Sequence, residues 1–228
     1  GTIAIPLTGL LQKKREVLGI GDLMVHKRTP QVETTPTIRR LIERGAQLVI
    51  EPEAETVFRE HELKPAMMRE EALAKADVVV DCTPAGNAHK NGVPDGEASW
   101  FEPHTGNTIR FIAQGSETDF GMPFALGIND EAIVGEQWIQ VVSCNTHNGA
   151  VLYDTLRGMP GLTIEDGQLV LIRRSGDVSQ KMIVGSTKVD RHKDPECGTH
   201  HAAMSGGYSS RSTSMRPSSP HPSKFRRC

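Results

Sequence analysis

Residues 65–84 read PAMMREEALAKADVVVDCTP, a run that predicts a helix over residues 65–76 delivering the chain directly into a short apolar strand. That strand, centred on Val78, Val79 and Val80, is apolar on both faces, the pattern expected of a parallel sheet covered by helices on each side. Upstream, GTIAIPLTGLLQKKREVLGI predicts a short amphipathic helix, with Leu7, Leu10 and Leu11 at helical spacing, and then a strand in the apolar run Val17, Leu18 and Ile20. PTIRRLIERG predicts a helix ending at Gly45, and QLVIEP a strand. Downstream, Ala85 to Asn107 reads as an irregular connection, after which IRFIAQG and WIQVVS repeat the short buried-strand pattern. CNTHNGAVLYDTLRG suits a helix, and GQLVLIRRSGD a strand that ends in charge. Helices thus alternate with strands, which predicts an α/β fold with a mostly parallel sheet. The natural boundary lies near Val142, between a nucleotide-binding sheet (1–142) and the start of an α+β catalytic layer (143–203).

Composition sets the limits of this reading. At 228 residues, 37% apolar and 24% charged, the chain has ordinary globular values and room for one large domain or two modest ones. No apolar stretch approaches a membrane span and no basic-then-apolar leader opens the chain, so a cytoplasmic protein without membrane contact is expected. Cys82, Cys144, Cys197 and Cys228 lie far apart with no CxxC pair, which argues against a disulfide framework and against a zinc site. The last 25 residues, Met204 to Cys228, hold five Lys/Arg and no Asp/Glu, leaving 21 basic against 28 acidic residues in the rest. This Ser-, Pro- and Arg-rich tail has too little aliphatic surface to offset the entropy of ordering, so a disordered tail is expected. A basic tail can hold nucleic acid through phosphate charge, but a solvated end or a scrambled reading frame accounts for it more simply.

Three short motifs bear on chemistry. Gly1-Thr2-Ile3-Ala4, at the start of a helix, looks like the end of a GxGxxG/A turn whose front is absent. In a complete turn glycines let the backbone approach a pyrophosphate at the helix N-terminus; four residues alone also fit any helix that begins Gly-Thr. His26-Lys27-Arg28-Thr29 puts positive charge where an NAD-specific enzyme places Asp or Glu for the ribose hydroxyls, which favours NADP, although such clusters are commonly just solvated. Trp138 to Asn148, WIQVVSCNTHN, sets Cys144 where a buried strand ends and a helix begins. The helix dipole and unpaired N–H groups there favour a thiolate that can attack an aldehyde, and the same N–H groups can stabilise the resulting oxyanion. Against this, most buried cysteines are inert packing residues.

Five blocks taken in order carry a family resemblance: DVVVDCTPAGNAHKN, FIAQGSETDF, NDEAIVGEQWIQVVSCNTHN, LIRRSGD and GTHHA. Together they resemble the archaeal-type (class II) phosphorylating glyceraldehyde-3-phosphate dehydrogenases, over roughly Gly1 to Ala203 and not the tail. The resemblance implies a Rossmann-like nucleotide-binding domain, NADP or NAD as cofactor, glyceraldehyde 3-phosphate and inorganic phosphate as substrates, and the homotetramer of that family. It matches Cys144 to the nucleophile that forms a hemithioacetal and then a thioester. Ser143 and Asn145 match residues beside the substrate carbonyl, and Thr2, Ile3 and Gly115 match backbone contacts to the dinucleotide. Arg173 and Arg174 match a paired arginine block near the cofactor and phosphates, which suits bidentate binding of phosphate oxygens. His200 and His201 match a pair that contacts the substrate phosphate.

Three departures qualify it. The family opens with a strand and a complete glycine turn, whereas this chain begins inside that turn, so the first strand of the sheet is expected to be missing. The family has Thr-Gly after Cys-Asn-Thr, whereas this chain has His147 and Asn148, and His147 either mimics a base or crowds the site. The family's general base lies downstream, where this chain has its basic tail, and no residue here is matched to it. Three functions therefore compete: a phosphorylating aldehyde dehydrogenase, a catalytically incompetent fragment of one with its tetramer in doubt, and a nucleic-acid-binding protein that uses the tail.

Overall fold

The computed structural model describes residues 3–83, 87–88, 106, 108–114, 117 and 120–164. They fall into two units on either side of the Cys82–Thr83 junction.

In the first unit α1 (Ala4–Lys13) precedes β1 (Leu23–His26), and α2 (Thr35–Glu43) leads to β2 (Ala46–Ile50). A 3₁₀ turn (Pro52–Ala54) continues into α3 (Glu55–Glu60); β3 (Met67–Met68), α4 (Arg69–Lys75) and β4 (Val78–Asp81) follow. Strands β1, β2 and β3 lie in that order, all parallel, with Val25 opposite Leu48 and Val49 opposite Met67. Amphipathic α2 buries Ile38 and Leu41, one turn apart, while its arginines face solvent. The core beneath gathers Ile38, Leu48, Ile50, Phe58 and Leu63. Gly45, at φ +90°, takes the left-handed conformation that ends α2 and turns the chain into β2.

Several expectations are corrected here. The apolar run at Val17, Leu18 and Ile20 is no strand: Leu18 N–H bonds to Lys14 O and Ile20 N–H to Arg15 O, closing a turn that leaves Val17 82% exposed. Gly19 at φ +63° permits that reversal, and the strand begins only at Leu23. The helix expected from residue 65 starts at Arg69, because Met67 and Met68 pair with Val49 and Ile50 instead. Val78 and Val80 are 53% and 36% exposed, so among the described residues β4 is covered on one face rather than two.

In the second unit β5 (Arg110–Gln114), β6 (Met122–Phe124) and β7 (Trp138–Val141) precede a 14-residue helix, α5 (Cys144–Arg157). Strand β7 is central, parallel to β5 on one side and to β6 on the other. Phe111 stacks on its register partner Trp138 with ring centroids 4.5 Å apart, and Phe120 meets the same indole edge-on. Gly121 is required by proximity, since a Cβ there would fall on the backbone carbonyl group of Trp138. The architecture is α/β with parallel sheets and resembles a Rossmann nucleotide-binding domain, as the alternating pattern predicts. The expected strand in GQLVLIRRSGD and the basic tail lie outside the described residues, and no described helix is long and apolar enough to cross a membrane.

Candidate active site at the β7–α5 junction

In a parallel sheet, crevices that bind ligands form beyond the carboxyl ends of the strands. The carboxyl end of β7 runs through Val142, whose N–H bonds to Phe124 O at 3.0 Å, into Ser143 and the first turn of α5. Ser143 has the extended backbone of an N-cap (φ −64°, ψ 156°). Its Oγ accepts from Thr146 N–H at 3.3 Å and lies 3.0 Å from Thr146 Oγ1. Thr146 is fully buried, so this cap fixes the start of the helix from inside. Ser143 O takes the first intrahelical bond, from His147 N–H at 2.9 Å. The N–H groups of Cys144 and Asn145, the first two helical positions, therefore have no acceptor within the helix.

Cys144 is the first residue of α5, and its thiol is free and exposed. An exposed thiol beside two uncommitted amide donors is the arrangement needed to attack a carbonyl and hold the oxyanion that develops. Asn145 is half-buried beside it. Cys82 differs: it is half-buried, and burial, with the Asp81 carboxylate adding to it, pushes its thiol up and away from the reactive form.

His147 is placed by a contact that the sequence does not announce. Its Nε2 donates to Leu126 O at 3.0 Å, which ties α5 to the turn after β6. A carbonyl oxygen only accepts, so Nε2 carries the hydrogen and any basic lone pair is on Nδ1. That turn is itself pinned: Asn129 Nδ2 donates to Pro123 O at 2.8 Å, Asn129 Oδ1 accepts from Ala125 N–H at 2.9 Å, and Asp130 Oδ1 accepts from Gly127 N–H at 2.8 Å. Gly127 sits at φ +79° within it. The signal for this turn, Gly-Ile-Asn-Asp over residues 127–130, is present in the sequence, but nothing local says which helix it would brace.

Of the other residues expected at a site, Ile3 is the N-cap of α1, 44% exposed, and its carbonyl accepts from Leu7 N–H at 3.1 Å. Thr2, Gly115, Arg173, Arg174, His200 and His201 lie outside the described residues.

A second cluster, missed in the sequence, occupies the carboxyl ends of β1, β2 and β3 in the first unit. Glu51, directly after β2, keeps 7% of its side-chain surface. Its Oε1 accepts from His26 Nε2 at 3.1 Å and its Oε2 from Arg69 Nη1 at 2.8 Å; Arg69 also pairs with Glu70. Burial holds the His26 imidazole below its usual range; Glu51 opposes that shift, and the guanidinium groups of Arg69 and Arg28 add to it. Among the described residues no three His, Cys, Asp or Glu side chains are grouped to hold a metal ion.

No family model matches the chain. It is 32% identical over 157 residues to a glyceraldehyde-3-phosphate dehydrogenase of Methanobacterium formicicum, a match covering 68% of this chain and 43% of that protein. The same-named protein of Aeropyrum pernix is 32% identical over 179 residues, covering 78% and 47% of the two chains. That of Methanothermus fervidus is 27% identical over 210 residues, covering 87% and 57%. The chain spans about half the length of these curated relatives. Over that span it is similar to the archaeal glyceraldehyde-3-phosphate dehydrogenases.

Proposed function

We propose that the chain acts in the NAD(P)-dependent, phosphorylating oxidation of glyceraldehyde 3-phosphate to 1,3-bisphosphoglycerate, with Cys144 as the nucleophile. The observation that carries this reading is the free, exposed thiol at the first position of a capped 14-residue helix, beyond the carboxyl end of a central parallel strand. The Cys144 thiolate adds to the aldehyde carbon, forming a carbon–sulfur bond as the carbonyl electron pair moves to oxygen. The N–H groups of Cys144 and Asn145 are the donors for that oxyanion. A bound nicotinamide supplies the acceptor for the aldehyde hydride, leaving a thioester on Cys144. Inorganic phosphate then attacks the acyl carbon, the carbon–sulfur bond breaks, and the thiolate returns.

The cofactor fits the chain in two respects: parallel strands open their carboxyl ends to a ligand, and basic residues, Lys27 and Arg28, follow β1. In this reading residues 1–142 bind the dinucleotide and 143–203 begin the catalytic domain. Thr2, Ile3, Gly115 and Arg174 contact the cofactor, while Ser143, Asn145, His200 and His201 contact the substrate, each on the resemblance alone.

The test is an absorbance assay for NADPH or NADH formation by the purified chain with aldehyde and phosphate, beside a Cys144→Ser control. Turnover that vanishes in the control supports the proposal. A folded chain with no turnover, or a control as active as the parent, would overturn it.

A further inference from the structure

We propose that His147 is a positioning residue for acyl chemistry at Cys144: its bond to Leu126 O clamps the first turn of α5, so that the N–H groups of Cys144 and Asn145 stay aimed at one oxyanion position. The inference rests on the reading of Cys144 as the nucleophile, and it adds the residue that keeps the donors in place.

Residues 142–147 are held at both ends by one turn. At their start Val142 N–H bonds to Phe124 O at 3.0 Å, and at their end His147 Nε2–H bonds to Leu126 O, also at 3.0 Å. The two acceptors are alternate residues of the chain as it leaves β6, so both ends are referred to one short stretch of backbone. That stretch is stiff. Ala125 and Val142 are buried together with Ile128 packed against them, and the N–H groups of Ile128 and Asn129 both return to Ala125 O, at 3.0 and 3.3 Å. The side chains of Asn129 and Asp130 bond to its backbone as well.

Cys144 and Asn145 lie between the clamped ends. The Ser143 cap on Thr146 and the bond from His147 N–H to Ser143 O set the shape of this turn, and burial of Thr146 seats it from inside. His147, half-buried, ties the end of the turn to the chain after β6. Because a carbonyl only accepts, Nε2–H makes this bond in either charge state of the ring, and the clamp needs no proton to move. Donors that must meet a charge present only in the transition state lose much of their effect when they shift.

Two reagents separate these donors from the thiol itself. Iodoacetamide alkylates a thiolate by displacing iodide, and no charge develops on oxygen. p-Nitrophenyl acetate acylates it: sulfur adds to the ester carbon, the carbonyl electron pair moves to oxygen, and collapse expels p-nitrophenolate to leave an acetyl thioester. The ratio of acylation to alkylation rates at Cys144, read by peptide mapping, cancels the thiolate fraction and reports the oxyanion donors. It is measured on the full chain, on His147→Gln, whose amide N–H has the reach of Nε2, and on His147→Asn, which is one methylene shorter. H147N should lower the ratio about five- to tenfold, short of the roughly 100-fold cost of deleting an oxyanion donor, while H147Q should stay within about twofold of the wild type. A ratio unchanged in H147N, or lowered equally in both variants, would overturn the proposal. Should H147N fail to fold, nitrogen NMR of the wild type at about pH 8, where an imidazole is ordinarily neutral, decides: the His147 ring must be the Nε2–H tautomer, and the Nδ1–H tautomer overturns the clamp. A clamp-dependent ratio without NAD(P)H formation would sink only the dehydrogenase reading. NAD(P)H formation with a flat ratio would sink this inference alone, and a wild type that does not acylate at Cys144 would sink both.

Discussion

Replacing Ser143 by alanine removes one hydroxyl and should disturb both the stability of the second unit and the chemistry of Cys144. The hydroxyl caps Thr146 N–H and meets Thr146 Oγ1, and Thr146 is fully buried, so water has little access to replace either contact. Loss of an N-cap costs about 1 kcal/mol, and loss of the second contact, to a buried hydroxyl, adds up to about another. The expected loss is therefore about 1–2 kcal/mol, because both contacts are made to a buried residue. Urea unfolding followed by circular dichroism measures it, with the slope checked for constancy. The functional consequence is separate: a frayed first turn no longer holds the amides of Cys144 and Asn145 together, so turnover should fall by more than the unfolded fraction explains. Ser143→Asn, which keeps a capping oxygen, should recover most of the stability. A loss under about 0.5 kcal/mol with full turnover would show that the cap neither anchors α5 nor arranges the site.

Iodoacetamide at neutral pH should alkylate Cys144 at least about tenfold faster than Cys82, read by peptide mapping, because the Cys82 thiol is half-buried and held protonated; Cys82 reacting first would contradict this. Gly121→Ala should cost about 1–3 kcal/mol in urea unfolding, since its methyl would meet the Trp138 backbone and β7 must shift, whereas Gly21→Ala, with open space around it, should be neutral or slightly stabilising; equal effects would refute the close approach. Lowering pH should destabilise the fold through His26: its folded pKa is depressed, so the unfolded chain takes up the proton first, and stability falls as pH drops through about 6.5. His26→Gln should flatten that part of the profile, and a steeper profile in the variant would reverse the assigned sign.

Local signals in the sequence carried most of the architecture. The three-valine strand, the helix stopped by Gly45 and the Ser-Cys junction each depend on neighbours in the chain, and each forms where its pattern predicts. Errors arose where a local pattern competes with pairing or reversal. Met67 and Met68 have helical neighbours, yet bonding to the edge of β2 draws them into the sheet. Val17 and Leu18 are apolar enough for a strand, but glycines at 19 and 21 let the chain turn before the run can extend. Strand β6 is only three residues long, too short to leave a periodicity. At the site, the position of Cys144 where a strand gives way to a helix is a local feature and so was legible, whereas the Ser143 cap on Thr146 went unread. The His147–Leu126 bond joins positions 21 residues apart, and the Glu51 pairs bridge separations of 25 and 18 residues, which no spacing rule reports.

The two clusters share one physical origin. In a parallel sheet all strands end on the same side, so residues immediately after different strands meet although the sequence separates them. Interior positions of β2 and β7 are fixed by packing: Val49, Ile50, Ile139 and Gln140 are all buried, leaving little room to choose a side chain for chemistry. One residue past the strand that constraint is lifted while the backbone direction is still set by the sheet. Glu51 and Ser143 occupy such positions, and each spends its polar atoms fixing a neighbour, His26 and Arg69 in one case and the first turn of α5 in the other. The groups so fixed are an imidazole, the side chain whose charge is most easily changed near neutral pH, and the first turn that carries a thiol nucleophile. Rigid support beneath a titrating group is what lets a single proton or a single bond alter binding, because the surroundings cannot relax to absorb the change.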